Sequence, residues 1–215
     1  MISKNYSYYP PKKPQFFFPK KEFNKYKKYY KPFSLKSKIF WFLYCNSSLL
    51  RSFFNIKEEN IPLPISEIKK IVDLKKATFF YNIGTEGIEQ KATIVVSNKN
   101  QERFIKFAQK AKSKELVENE SKTLLFLKER TELSSARILK SFSDATASYI
   151  ITELIDGEKA NFTIINQEIL SLLFQISKLK QKSIDLKEVF SHGDFCPWNM
   201  LLNKQQEIVL IDWEM

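Results

Sequence analysis

The residues best suited to chemistry cluster near the end of the chain, where residues 191–202 read Ser-His-Gly-Asp-Phe-Cys-Pro-Trp-Asn-Met-Leu-Leu. His192, Asp194 and Asn199 lie within eight residues, and Asp212 follows an apolar run, 208–211. Two carboxylates and one carboxamide therefore flank a short predicted β-hairpin. Hard oxygen ligands of this kind suit Mg²⁺ with bound phosphates, and positioning and charge neutralisation supply most of the catalysis in phosphoryl transfer. The pattern predicts phosphoryl-transfer chemistry.

The spacing His-x-Asp-x-x-x-x-Asn, followed by a strand that ends in Asp, is that of a kinase catalytic loop and its metal-binding aspartate. The motifs HGDFCPWN and IDWE resemble those of the aminoglycoside phosphotransferase/choline kinase family. Protein kinases instead have Arg after the His and a DFG motif. The resemblance implies that Asp194 orients or deprotonates the acceptor hydroxyl, that Asn199 and Asp212 hold Mg²⁺, and that His192 braces the loop. It also implies ATP as the donor and a small-molecule hydroxyl as the acceptor. The alternative is a chance polar loop beside a hairpin.

A kinase also needs a strand lysine that reaches the nucleotide phosphates and a helix glutamate that pairs with it. Lys106 lies among apolar neighbours in a predicted strand, and Glu120 lies in the following predicted helix. Glu120 shares one helical face with Leu116, Leu124 and Leu127. An unpaired carboxylate in an apolar stripe is costly, so we expect Lys106 to be its partner, as the family's pair implies. Alternatively, Glu120 lies at the edge of the stripe and reaches solvent.

Two further segments resemble the family's nucleotide-binding parts. Gly84 and Gly87, two of the four glycines in the chain, lie between two predicted strands where the family has its nucleotide loop. Backbone amides there could approach phosphates, although an ordinary hairpin turn fits equally well. Glu153 and Ile155 end a later strand, at a position that resembles the hinge that offers backbone groups to adenine.

The elements that must position these residues follow from hydrophobic periodicity and turn residues. Helices are predicted over 65–74, 113–129 and 167–181, and strands over 78–83, 92–97, 103–108, 137–142, 149–154, 200–202 and 208–211. Together with the resemblance, this order predicts an α+β, protein-kinase-like two-lobe fold. Residues 61–156 form the N-lobe, an antiparallel sheet with one helix, and residues 157–215 form a partial helical C-lobe.

Residues 1–60 are predicted to form a basic, aromatic-rich extension. Residues 1–40 hold eleven lysines, no arginine and one acidic residue, a net charge of +10, whereas the other 175 residues hold 24 basic and 23 acidic side chains. Residues 1–32 show no helical or alternating period and predict an extended, mostly unstructured arm. The apolar run 39–45 is too short to span a bilayer and predicts a buried or interfacial helix.

The arm either has no specific role or contacts an anionic surface. Because basic residues do not cluster elsewhere, we expect no specific nucleic-acid partner and, at most, a peripheral contact with an anionic membrane through residues 1–40. Two cysteines without paired spacing argue against a disulfide scaffold and favour a cytoplasmic protein. A single histidine excludes multi-histidine metal sites.

The sequence ends three residues after Asp212. Members of the family continue there with helices that build most of the acceptor pocket, so the acceptor is not specified. We expect the hairpin before Asp212 to have little tertiary support. The chain is then an incomplete copy of a longer protein, a chain completed by another, or a shortened relative that binds nucleotide without turnover.

Overall fold

The structure is a computed structural model. It describes residues 4–72, 74, 76–130, 133–159, 167–178, 195–196 and 199–213. The chain divides into two units, Met1–Phe107 and Ala108–Met215. The lobe boundaries predicted after residues 60 and 156 stay predictions.

The first unit is built on antiparallel strands flanked by short helices. Its elements are β1 (Asn5–Tyr9), β2 (Phe16–Pro19), α1 (Phe23–Tyr26), α2 (Leu35–Asn46), α3 (Ser48–Phe53), β3 (Asn55–Lys57), α4 (Ile65–Val72), β4 (Thr78–Asn82), β5 (Ala92–Ser97) and β6 (Glu102–Ala108). The strand order is β3-β1-β2-β4-β5-β6, and each neighbouring pair is antiparallel. The strands predicted between residues 78 and 108 are confirmed to within one residue at each end.

The prediction of an unstructured arm is wrong. β1 and β2 pair with each other, and β2 continues the sheet onto β4 with Phe17 opposite Tyr81. Tyr6, Phe17 and Phe18 are buried at 0–1% exposure. The N-terminal segment is therefore an integral part of the sheet. Among the described residues, no helix is long and apolar enough to cross a membrane.

β2 lacks a strand-like alternation because both faces of the sheet are covered. Phe80 on β4 faces one side, where it packs against Phe18 and stacks on Tyr26 at 6.0 Å between ring centroids. Tyr81 faces the other side, where its ring lies 5.6 Å from that of Tyr6. Strands that are buried on both faces read as continuous apolar runs instead of alternating ones, as residues 16–18 of β2 do. A sequence criterion based on period two therefore misses β2.

A buried carboxylate ties the arm to the rest of the first unit. Glu58, 6% exposed, accepts hydrogen bonds from the phenols of Tyr6 and Tyr81, both at 3.0 Å, and from the Lys69 ammonium at 2.5 Å. Burial raises the pKa of both phenols, and the charge of Glu58 raises it further, so both tyrosines stay protonated as donors. The network links β1, β4 and α4 through one side chain.

Replacing Glu58 by alanine is expected to lower the free energy of unfolding by about 2–3 kcal/mol, because two buried hydroxyls and one ammonium lose their acceptor. Glu59→Ala is the matched control. Its side chain is 64% exposed and lies 3.8 Å from Lys57, so its removal should change stability by at most about 0.5 kcal/mol. Urea denaturation of both variants is the measurement, and equal effects at the two positions would contradict a structured arm.

The second unit combines two helices with two small groups of strands. Its elements are α5 (Ala111–Arg130), β7 (Ile138–Ser143), β8 (Ser148–Glu153), β9 (Gly157–Lys159), α6 (Gln167–Ser177), β10 (Met200–Asn203) and β11 (Ile208–Leu210). β7 and β8 form an antiparallel hairpin, and β11-β10-β9 forms a three-stranded sheet. The predicted helix over 167–181 is observed to Ser177, and β9 was not predicted.

The β10–β11 hairpin is anchored in the core of this unit. Met200, Leu210 and Trp213 are 1–2% exposed. They belong to one apolar cluster with Val117, Leu124 and Leu127 of α5 and with Leu172 and Ile176 of α6. The expectation of little tertiary support is therefore wrong, because the supporting side chains come from helices far away in the sequence.

Candidate functional site

The two predicted metal ligands lie at the same end of the β10–β11 hairpin. Met200 pairs with Leu210, and the Ile211 N–H donates to the Asn199 carbonyl at 3.0 Å, which continues the pairing by one step. Asp212 follows directly on the second strand. The hairpin therefore brings together a carboxamide and a carboxylate that are thirteen residues apart in the sequence.

Both residues are held in defined backbone conformations. The Asn199 N–H donates to the Cys196 carbonyl at 3.0 Å, and Asn199 is 6% exposed. Asp212 is half-buried and has a φ of 60°, in the left-handed region that non-glycine residues rarely adopt. Such conformations persist where surrounding packing imposes them, and they are enriched at functional sites. The burial of Trp213, the next residue, supplies that packing.

The donor set fits Mg²⁺ bound together with phosphates. Mg²⁺ takes one or two protein ligands with hard oxygen atoms and completes its shell with phosphate oxygens and water. The Asn199 and Asp212 side chains provide one amide oxygen and one carboxylate. Within the part of the chain that the structure describes, no group of three or more His, Cys, Asp or Glu side chains could hold a metal ion by itself. These two oxygen donors suit a Mg²⁺ ion that is also bound by phosphate oxygens.

The other two members of the predicted catalytic set, His192 and Asp194, lie outside the described residues. Their roles stay predictions from the sequence.

The two glycines between β4 and β5 differ in what they do for the loop. Gly84 has a φ of +74°, and a Cβ atom there would lie 2.3 Å from the Lys91 carbonyl oxygen. Its N–H donates to Asn82 Oδ1 at 3.0 Å. A Cβ atom on Gly87 would meet nothing within 4 Å. The loop conformation therefore requires glycine at position 84 and not at 87.

Gly84→Ala is expected to lower the free energy of unfolding by about 1–3 kcal/mol, because the new Cβ both strains the backbone and meets a carbonyl oxygen. Gly87→Ala is the control at the neighbouring glycine and should change stability by less than about 0.5 kcal/mol. Thermal unfolding compares the two variants. A loss at position 87 as large as that at 84 would contradict the observed loop geometry.

The β1–β2 connection contacts this same loop. The Ile83 N–H donates to the Gln15 carbonyl at 2.9 Å, and Lys13 and Glu86 form an ion pair at 2.9 Å between exposed side chains. The sequence did not predict any N-terminal residue at this loop. No local signal could have done so, since the contact depends on the pairing of β2 with β4.

Lys106 and Glu120 lie in different units, so their pairing stays a prediction. Lys106 is half-buried on β6, on the face opposite Ile105 and Phe107. Glu120 is 5% exposed within α5, beside the buried Leu124. The alternative in which Glu120 reaches solvent from the edge of the stripe is excluded by this burial.

The predicted hinge residues follow β8. The Glu153 N–H donates to the Arg137 carbonyl at 3.0 Å, and its carboxylate lies 3.3 Å from the Arg137 guanidinium. That amide is therefore engaged in the hairpin. Ile155 lies beyond the end of the strand and is half-buried. Contact of either backbone with a nucleotide stays a prediction.

Gly157 is a structural requirement that the sequence did not predict. A Cβ atom at this position would lie 2.6 Å from the Leu202 carbonyl oxygen. Because Gly157 pairs with Asn203, the absence of a side chain lets β9 approach β10 closely. In the sequence, the Asp-Gly pair at 156–157 was the only feature that indicated a special backbone position here.

Comparison with known proteins gives one family match. Residues 158–215 match the model of the phosphotransferase enzyme family. This segment contains His192, Asp194, Asn199 and Asp212. No curated protein matches the chain significantly.

Solved structures extend the comparison to the fold. The crystal structure of an aminoglycoside-3'-phosphotransferase of type VIII has a TM-score of 0.53 and 15% sequence identity, with 69% of this chain and 75% of that chain covered. At this identity the likeness concerns the fold alone, and it confirms the predicted α+β, protein-kinase-like fold.

A second structure, of a protein assigned as a fructosamine-3-kinase from Haemophilus somnus, has a TM-score of 0.32 and 12% identity over 50% of this chain and 34% of that chain. That likeness is too weak to carry a conclusion. The resemblance that the sequence predicts is confirmed by the family match and by the fold of the type VIII enzyme.

Proposed function

We propose that this chain is an ATP- and Mg²⁺-dependent phosphotransferase that acts on a hydroxyl group of a small molecule. The observation that carries the proposal is the hydrogen bond between Ile211 N–H and the Asn199 carbonyl, which sets Asp212 beside Asn199 at one end of the hairpin. The family match over residues 158–215 supports the same chemistry. A cytoplasmic location, where ATP is available, is part of the proposal.

Each residue of the set has a distinct proposed role. Asn199 and Asp212 would hold Mg²⁺, and the ion would supply positive charge that offsets the negative charge of the phosphates. Asp194 accepts the proton of the acceptor hydroxyl, or orients that hydroxyl for in-line attack. His192 braces the loop that carries Asp194.

The nucleotide half of the proposal uses the remaining predicted residues. Lys106 contacts the phosphates and pairs with Glu120, whose burial makes a compensating cation energetically necessary. The loop with Gly84 and Gly87 offers backbone amides to the phosphates. Glu153 and Ile155 border the adenine site.

A second candidate is a nucleotide-binding relative that performs no transfer and acts as a scaffold. The match to the phosphotransferase family covers only residues 158–215, and Asp194 is the only residue of the proposed set with a role toward the acceptor. This candidate predicts stabilisation by Mg–ATP without a phosphorylated product.

The proposal is tested by thermal unfolding with and without Mg–ATP. At about 100 times the dissociation constant, a ligand that binds the native state adds about 2.7 kcal/mol of stability. For a chain of this size the melting temperature should rise by about 5–10 °C. In Asp212→Asn, the Mg²⁺ concentration for half-maximal stabilisation should increase at least about tenfold, since a charged ligand is lost.

Asp156→Asn is the control, because it removes one carboxylate that is ion-paired with Lys204 at 2.7 Å, away from Asn199 and Asp212. Its Mg²⁺ dependence should equal that of the unsubstituted chain. Failure of Mg–ATP to stabilise the protein contradicts both candidates. Stabilisation without γ-phosphate transfer to an aminoglycoside, choline or a hexose favours the scaffold.

A further inference from the structure

The outward side of α2 and α3 is an apolar surface. Leu35, Ile39, Phe42 and Leu43 recur at i, i+4, i+7 and i+8, so they share one face of α2, and each is 52–74% exposed. Leu49 and Phe53 of α3 are 69% and 71% exposed. We call these six side chains the α2–α3 surface. Contiguous exposed apolar patches mark interaction sites more often than chance exposure does.

The opposite side of α2 is already occupied, so this surface cannot turn inward. Trp41 and Tyr44 pack on Tyr9 with ring centroids at 5.0 and 5.3 Å. The Tyr44 hydroxyl donates to the Tyr8 carbonyl at 2.8 Å. Arg51 donates to the carbonyls of Tyr44 and Cys45 at 2.9 and 2.6 Å, which joins α3 to the end of α2. The orientation of both helices is therefore fixed by the first unit.

A helix that is apolar on both sides is normally buried or lies in a membrane. α2 has an aromatic inner side that packs on the sheet and an aliphatic and aromatic outer side in contact with solvent. Its twelve residues are too few to span a bilayer. Its outer side can therefore lie in the plane of a membrane interface or against another protein surface.

The stretch of sequence that carries this surface is basic. No acidic residue occurs between Glu22 and Glu58. Five exposed lysines lie in or just before α2: Lys27, Lys28, Lys31, Lys36 and Lys38. Lys36 and Lys38 lie in the first turn of α2, where the helix dipole disfavours positive charge. Their presence is not explained by the stability of the helix, and an external anionic partner would explain it.

The type of basic residue favours lipid over protein. Residues 1–40 contain eleven lysines and no arginine. Protein–protein interfaces are depleted in lysine and enriched in arginine. Lysine-rich segments beside an apolar helix are typical of contacts with anionic lipid, where each basic residue contributes about 1 kcal/mol.

We propose that the α2–α3 surface inserts into the headgroup region of an anionic membrane, with the surrounding lysines against the lipid phosphates. The contact is made by two folded helices rather than by an unstructured arm. It does not depend on the proposed phosphotransferase activity, and it positions the first unit at the membrane whatever reaction the second unit supports.

Co-sedimentation with vesicles tests the proposal. The full chain should bind vesicles of phosphatidylglycerol and phosphatidylcholine in equal parts, bind pure phosphatidylcholine vesicles weakly, and be released by high salt. Leu35→Ser with Phe42→Ser should reduce binding at least about tenfold. Lys36→Gln with Lys38→Gln should reduce it about 30-fold, the equivalent of two basic contacts. All four side chains are exposed, so thermal unfolding should be unchanged.

Two controls separate this surface from exposed residues in general. Leu170→Ser with Phe174→Ser removes two apolar side chains, 52% and 60% exposed, from α6. Lys122→Gln with Lys128→Gln removes two exposed lysines from α5. Neither pair should alter vesicle binding.

Three outcomes overturn the proposal. The first is no binding of the unsubstituted chain to either vesicle, and the second is equal binding to neutral and anionic vesicles. The third is a dimer in sedimentation velocity that dissociates in Leu35→Ser with Phe42→Ser, which would assign the α2–α3 surface to a second copy of the chain.

Discussion

Replacing Asp194 by alanine is expected to lower kcat for phosphate transfer by about 100- to 10,000-fold, the range supplied by a positioned general base. The KM for ATP should stay unchanged, because the proposed nucleotide contacts come from other residues. The readout is transfer of labelled γ-phosphate to an aminoglycoside, choline or a hexose, whichever the unsubstituted chain phosphorylates. Stabilisation by Mg–ATP should persist in the variant.

The combination of these readouts makes the prediction specific. A variant that loses transfer and also loses Mg–ATP binding would indicate damage to the hairpin instead of loss of a base. Asp194→Asn keeps the size and a hydrogen-bonding oxygen but removes the basic carboxylate, and it should be nearly as impaired as the alanine variant. Undiminished phosphate transfer in Asp194→Ala would contradict the proposed catalytic role of Asp194.

Replacing Trp213 by alanine is expected to lower the free energy of unfolding by about 3–5 kcal/mol, the usual cost of removing a large buried aromatic side chain. Trp213 is 1% exposed and packs in the cluster that joins the hairpin to α5 and α6. Because Trp213 follows Asp212, its loss also removes packing beside the left-handed backbone of that residue, which is a proposed Mg²⁺ ligand. Urea denaturation measures the stability, and the Mg²⁺ dependence of stabilisation by ATP measures the effect on the site.

Phe174→Ala is the matched control for this variant. Phe174 is a large apolar residue of α6 that is 60% exposed, so its truncation should cost no more than about 0.5 kcal/mol. Trp213→Phe should recover most of the stability, since it keeps an aromatic ring in the cluster. A Trp213→Ala variant as stable as the unsubstituted chain would mean that the hairpin is poorly supported, as its sequence position alone suggests.

The placement of Asn199 and Asp212 at one end of a hairpin was predictable from the sequence because it depends on local spacing. One short hairpin separates Asn199 from Asp212, and its tight turn brings the two residues back to the same end. The strands β4, β5 and β6 were predictable for a similar reason, since turn residues such as 98–100 mark their ends. Where paired residues are close in sequence, residue type and spacing are sufficient to predict the pairing.

The N-terminal segment was not predictable in the same way. Its lysines and prolines indicate disorder, but Tyr6, Phe17 and Phe18 are buried by residues 50 or more positions away, such as Glu58, Tyr81 and Phe80. Burial on both faces removes the alternation by which a strand is recognised. The mistaken expectation follows from the absence of a local signal for a long-range pairing.

The sequence by itself determined the kind of fold, and the identity and spacing of Asp194, Asn199 and Asp212 are the basis of the proposed chemistry. The tertiary structure decided which glycine the loop requires, whether the β10–β11 hairpin is anchored, and which side of α2 remains exposed. The glycine requirement depends on the close approach of the Lys91 carbonyl oxygen to Gly84. The other two depend on packing against residues distant in the sequence, such as the α5–α6 cluster at Trp213. Local spacing identifies the proposed reacting groups, and long-range packing anchors the elements that carry them.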